Sequence, residues 1–102
     1  MQTVACFGDS LIYGFPFGPR ISWLAEAEKL TGDKFLNYGV CGDCTDDILS
    51  RLKTMPLPAH IKHILFLGGA NDIIQMRPQK FILEDLDKTL RYCCLLYTPP
   101  SP

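Results

Sequence analysis

An α/β domain built on a parallel sheet is the fold class that this sequence predicts, and three observations carry it. Short apolar, β-leaning runs alternate with segments of helical periodicity in the order β-α-β-α-β-α, which calls for right-handed crossovers. Every one of the three apolar runs closes in a polar loop containing glycine. A length of 102 residues allows one domain at most, and a small one for a buried parallel sheet.

The first strand is "TVACF" (3–7), stopped by Gly8. A Gly/Pro loop, "GFPFGP" (14–19), follows, and Pro19 suits a first helical turn. The helix "RISWLAEAEKL" then spaces Ile21, Leu24 and Ala27, with Trp23 and Leu30, for one buried face, and Gly32 stops it. "KFLNYGV" (34–40) is the second strand. Asp43 or Thr45 is placed to cap the next helix, whose apolar stripe is Ile48, Leu49, Leu52 and Met55 and which Pro56 and Pro58 end. "KHILFLGG" (62–69) is the most hydrophobic strand. "NDIIQMR" reads as a loop, after which Pro78 opens a last helix carrying Phe81, Leu83, Leu86 and Leu90.

Composition narrows the function. Hydrophobic residues at 47% and charged residues at 21% describe an ordinary globular chain. A net charge of −1 supplies no basic footprint for nucleic acid and no polybasic membrane anchor. No apolar run approaches the roughly 18 residues that span a bilayer, and the N-terminus lacks the features of a signal peptide. Five cysteines, an odd count without a secretory signal, point to reduced thiols and a cytoplasmic setting. Cys41-Gly-Asp-Cys44 is a C-x-x-C, but zinc would need two more ligands and a redox pair a depressed thiol pKa; small apolar fillers are the simpler reading.

In parallel sheets ligands sit beyond the carboxyl ends of the strands, where residues 8–10, 39–45 and 68–72 would converge. Acyl transfer to a serine needs an exposed hydroxyl, oxyanion donors and an oriented base. Ser10, just past the first strand, suits the first role. Gly42 can present an unobstructed backbone N–H, and Asn71 a carboxamide donor that does not titrate. Singly, these three read as a helix cap, a turn glycine and a loop asparagine; their combination favours a site.

Those segments resemble the SGNH hydrolases, the GDSL esterases and lipases. The blocks are "FGDSLIYG", "NYGVCGDCTDDILSRL" and the G-x-N-D of Gly69-Ala70-Asn71-Asp72, so the resemblance covers roughly residues 3 to 92. It implies Ser10 as nucleophile and, through its own N–H, oxyanion donor, with Gly42 N–H and the Asn71 side chain as the other donors. It implies a small-molecule ester substrate, no cofactor and no metal. Asp9 adjoins the nucleophile and Asp72 suits a bracing role, so neither is expected to be the triad acid. The family's base and its acid come from a late D-x-x-H block, which has no counterpart here; His60 and His63 fall before the third strand, at its expected amino end.

The expected domain is therefore a partial one, residues 1–92, of a flavodoxin-like three-layer α/β/α fold with strand order 2-1-3-4-5, truncated to about three strands and three helices. Residues 93–102 are expected to be a non-native tail. From Cys94, "CLLYTPPSP" resembles the translation of a transposon-type sequencing adapter and abandons the amphipathic pattern. Such a chain should expose its third strand as a hydrophobic edge, be poorly stable, and hydrolyse esters barely if at all. The competing reading is a non-catalytic flavodoxin-like module gripping a phosphate or sugar, although no G-x-G-x-x-G or Walker loop is present. Tyr13, Phe15, Phe17 and Trp23 are available to line a substrate pocket, with core packing the favoured role for Trp23.

Overall fold

The computed structural model describes residues 2–58 and 61–97. His60 and the end of the expected tail, residues 98–102, lie outside them. Three parallel strands, β1 (Thr3–Gly8), β2 (Lys34–Gly39) and β3 (His63–Leu67), form one sheet in the order β2-β1-β3. The register sets Gly8 against Gly39 on one side and Leu67 on the other, so all three strands finish at the same edge.

The two-residue period of β1 divides the core between two layers. Ala5 and Phe7 face one side with Ile48 and Leu52 of α3 (Thr45–Thr54), while Tyr92 and Cys93 of α5 (Gln79–Tyr97) pack against that cluster. Cys6 faces the other side with Ile12 of α1 (Ser10–Tyr13) and Leu24 of α2 (Trp23–Thr31). Helices on both faces of a parallel sheet make the three-layer α/β/α arrangement expected from the sequence.

Several local expectations change. The segment after Pro19 is not one helix. Residues Pro19–Ile21 form a 3₁₀ turn, and the Ser22 hydroxyl accepts from the Ala25 N–H to start α2 afresh. The rotated start leaves Leu24 buried but Ile21, Trp23 and Leu30 exposed, and Trp23 is not a core residue. Its indole instead donates to Leu11 O at 2.9 Å. Neither Asp43 nor Thr45 caps α3: Cys44 does, in a box completed by the Asp47 carboxylate on the Cys44 N–H. "NDIIQMR" is partly helical, as α4 (Ala70–Ile74).

The stripe expected on α5 also fails. Phe81, Leu83 and Leu90 are exposed, Leu86 is half-buried, and among the described side chains of the helix the buried ones are Asp85 and Thr89. The same helix continues through Tyr97. Among the described strands β3 stands at the edge of the sheet, as expected, with Leu67 exposed. No helix of the described residues is long and apolar enough to cross a membrane.

Candidate active site

Strand β1 delivers the chain to its carboxyl edge at Gly8 and turns at once. Asp9 caps α1, its Oδ1 accepting from the Leu11 N–H at 2.9 Å, and Ser10 is the first helical residue. The turn is pressed against the sheet. A Cβ on Gly39 would run into the Tyr13 backbone nitrogen and meet Tyr13 Cα at 2.8 Å and Asp9 O at 2.9 Å, so only glycine admits this approach. Ser10 is half-buried, and its hydroxyl has no hydrogen-bond partner among the described residues. Asp9 is buried, caps the helix through Oδ1 and has Oδ2 unpartnered.

The loop after β2 places Gly42 at φ +86°, the left-handed region that glycine occupies without penalty. Its surroundings are open, and its N–H is unpaired among the described residues. The next residue, Asp43, ties this loop to the third. The Asn71 Nδ2 donates to Asp43 O at 3.0 Å, which fixes the orientation of the carboxamide and leaves its second N–H over.

Asp72 braces the same junction from beneath. It is fully buried and accepts from the Thr45 N–H at 2.9 Å, and its carboxylate lies 2.9 Å from Arg77 Nη1. Asp85 reaches the same guanidinium at 2.6 Å. These bonds, with Asp85 foremost and then Asp72, push the Arg77 pKa further above its ordinary value. Thr45 Oγ1 completes the cluster, 2.9 Å from Asp85 and 3.0 Å from Asp72. Cys44, Asp46 and Asp72 also bring potential ligand atoms within 4.8 Å of one another. Arg77 supplies positive charge there, 2.9 Å from Asp72 and 3.9 Å from Asp46.

The C-x-x-C splits. Cys41 is exposed, so it is no apolar filler, whereas Cys44 is buried. Burial, then Asp72, Asp47 and Asp46, push the Cys44 thiol up, the opposite of what an attacking redox thiolate needs. His63 opens β3 in register with Val4, four residues back from the Gly8 level and therefore roughly 13 Å down the sheet. That is the amino end expected for it.

Sequence reasoning missed two arginines. Arg51 and Arg77 hold the loops together, yet nothing in their local sequence marks them; the available signal was the set of aspartates (Asp43, Asp72, Asp85) in otherwise apolar or capping contexts, each of which needs a cation when buried.

A parallel sheet covered on both faces, with three interlocked loops at its carboxyl edge, defines a doubly wound α/β protein whose candidate site is at the edge where that class binds ligands. The sequence profile of the GDSL-like lipase/acylhydrolase family matches residues 6–95, and the chain belongs to that family. Among solved structures it is similar to AlinE4, an SGNH-hydrolase family esterase, with 25% identity and a TM-score of 0.85 over 96% of this chain and 56% of that one. It is also similar to a member of the lipolytic protein G-D-S-L family from Veillonella parvula DSM 2008, with 24% identity and a TM-score of 0.76 over 89% and 52%. The psychrotrophic esterase EstA from Pseudoalteromonas sp. aligns at 19% identity with a TM-score of 0.79 over 94% and 55%. The chain thus spans about half the length of the structures it matches. A search of curated proteins gave no match.

Proposed function

We propose that the whole protein carrying this chain is a serine esterase that hydrolyses carboxylic esters of small molecules through an acyl-enzyme. Ser10 Oγ attacks the acyl carbon, its proton passes to a histidine outside these 102 residues, and the alcohol leaves. Water then releases the acid. The Ser10 N–H, the Gly42 N–H and the Asn71 Nδ2 stabilise the oxyanion, each worth on the order of 3 kcal/mol in the transition state. No cofactor or metal enters the reaction. The observation that carries this reading is the Asn71 to Asp43 hydrogen bond of 3.0 Å, which ties one donor to the residue that follows another at the edge where Ser10 emerges.

The reading extends to the 102 residues taken alone. With His63 at the wrong end of its strand they hold no base near Ser10 among the described residues, and turnover should be barely detectable. Residues 93–102 keep their reading as a non-native tail, supported by the adapter-like sequence from Cys94. A cytoplasmic setting goes with the odd count of five cysteines.

The test is made on the whole protein. Ser10→Ala should abolish p-nitrophenyl acetate turnover and labelling by a fluorophosphonate; unchanged turnover would remove Ser10 from the chemistry.

A further inference from the structure

The guanidinium of Arg51 divides its three nitrogens among three segments. Nε donates to Asp43 Oδ2 at 2.8 Å, Nη1 to Tyr38 O at 2.7 Å and Nη2 to Gly8 O at 3.0 Å. We propose that Arg51 is a positioning residue for ester hydrolysis, holding the Gly42 N–H and the Asn71 carboxamide in place relative to Ser10. The inference rests on the esterase reading above and deepens it.

The geometry connects the reacting groups in sequence. Gly8 O lies two residues before Ser10. Tyr38 is the penultimate residue of the strand that leads into the Gly42 loop. Asp43 follows Gly42, and its carbonyl accepts from Asn71 Nδ2 at 3.0 Å. One rigid cation therefore sets the distance between the nucleophile turn and both other donors. Its base is fixed too, because Ile48 and Leu52, neighbours on α3, are fully buried against the sheet. The Phe7 ring lies under the guanidinium, 5.9 Å from Cζ to centroid, and limits its tilt.

Folding alone does not require the whole arrangement. Gly8 O already accepts from the Val40 N–H at 3.1 Å, so the bond from Arg51 adds orientation rather than satisfying an orphaned carbonyl. Lysine could replace it only in part, since a single ammonium keeps the charge but cannot reproduce the planar fork that meets three acceptors. Arg51 touches no reacting atom; it acts through Asp43 and Gly8.

The experiment uses the whole protein with Arg51→Met, Arg51→Lys and Asp43→Asn, and p-nitrophenyl ester kinetics normalised to the sites titrated by a fluorophosphonate. Arg51→Met should lower kcat per titrated site about 100-fold, as loss of an oxyanion donor does, with KM within about threefold. Arg51→Lys should recover part of the loss, and Asp43→Asn should cost about tenfold, a lesser share of that effect. Inhibition by an alkyl boronic acid, whose tetrahedral serine adduct needs the same donors, should weaken by the factor that kcat loses. An unchanged kcat per site, with only the titre or the melting temperature falling, would make Arg51 a folding residue and overturn the proposal. Where Arg51→Met does not fold, an unchanged kcat per site in both other variants overturns it equally. Failure of the esterase reading shows separately, as unchanged turnover in Ser10→Ala or none in the unsubstituted protein, and takes this inference with it.

Discussion

Helices α3 and α5 lie on the same face of the sheet, but α5 adds a buried ionic network to the apolar contacts of Tyr92 and Cys93. α3 buries an apolar stripe, with Ile48 and Leu52 at 0% and 1% exposure in the cluster around Phe7. α5 turns Asp85 and Thr89 inward, at 7% and 4%, and leaves Leu83 and Leu90 at 55% and 67%. The apolar period that correctly announced both helices identified the buried face of only one. A carboxylate in contact with Arg77 outweighed the leucines in orienting α5, because a buried charge network tolerates far less misplacement than an apolar contact does.

The contrast can be broken most sharply at Arg77. Arg77→Met leaves Asp72 and Asp85 buried beside each other without a counter-charge, and should destabilise the protein more than any other substitution named here. Urea unfolding followed by circular dichroism measures it; a loss below the resolution of that method would mean that α5 is not held by this network. The apolar side of the comparison is tested by Ile48→Ala. It should cost about 3 kcal/mol through lost transfer energy and a residual cavity.

A smaller effect comes from the opposite face of the sheet. Burial, and then Glu28, push the Cys6 thiol from 9.0 to about 11. The folded state holds this proton more tightly than the unfolded one, so the contribution of Cys6 is full below pH 9 and lost as pH rises through 11. Across that window the urea midpoint should fall further in the unsubstituted protein than in Cys6→Ala. The smallest effect is expected at Leu83→Ala and Leu90→Ala, each within about 0.5 kcal/mol as exposed substitutions. A loss of several times that size in either would show that this face is covered.

The sheet was legible because its strands are short apolar runs punctuated by glycine, and its order β2-β1-β3 is that of the flavodoxin-like fold expected for it. The three loops were legible for the same reason, since strand ends in a parallel sheet share an edge. Trp23 was misplaced because Ser22 restarts the helix, a cap whose effect on phase shows only once the 3₁₀ turn before it is known. α4 escaped because five residues containing Asn71 and Asp72 hold too few periods to register as a helix. Arg51 and Arg77 escaped because an arginine chooses its partners across 8 to 43 positions of chain, and no local pattern encodes that choice.

Gly42 can sit in its left-handed turn on almost any scaffold; what fixes where that turn points is an arginine eight residues beyond Asp43, on another element. The transplantable part of this chain is accordingly not a loop. Anyone grafting residues 39–45 onto a different sheet would need to carry the first two turns of α3 with them and supply a carbonyl at the position of Gly8, or the grafted peptide would arrive with its sequence intact and its aim lost.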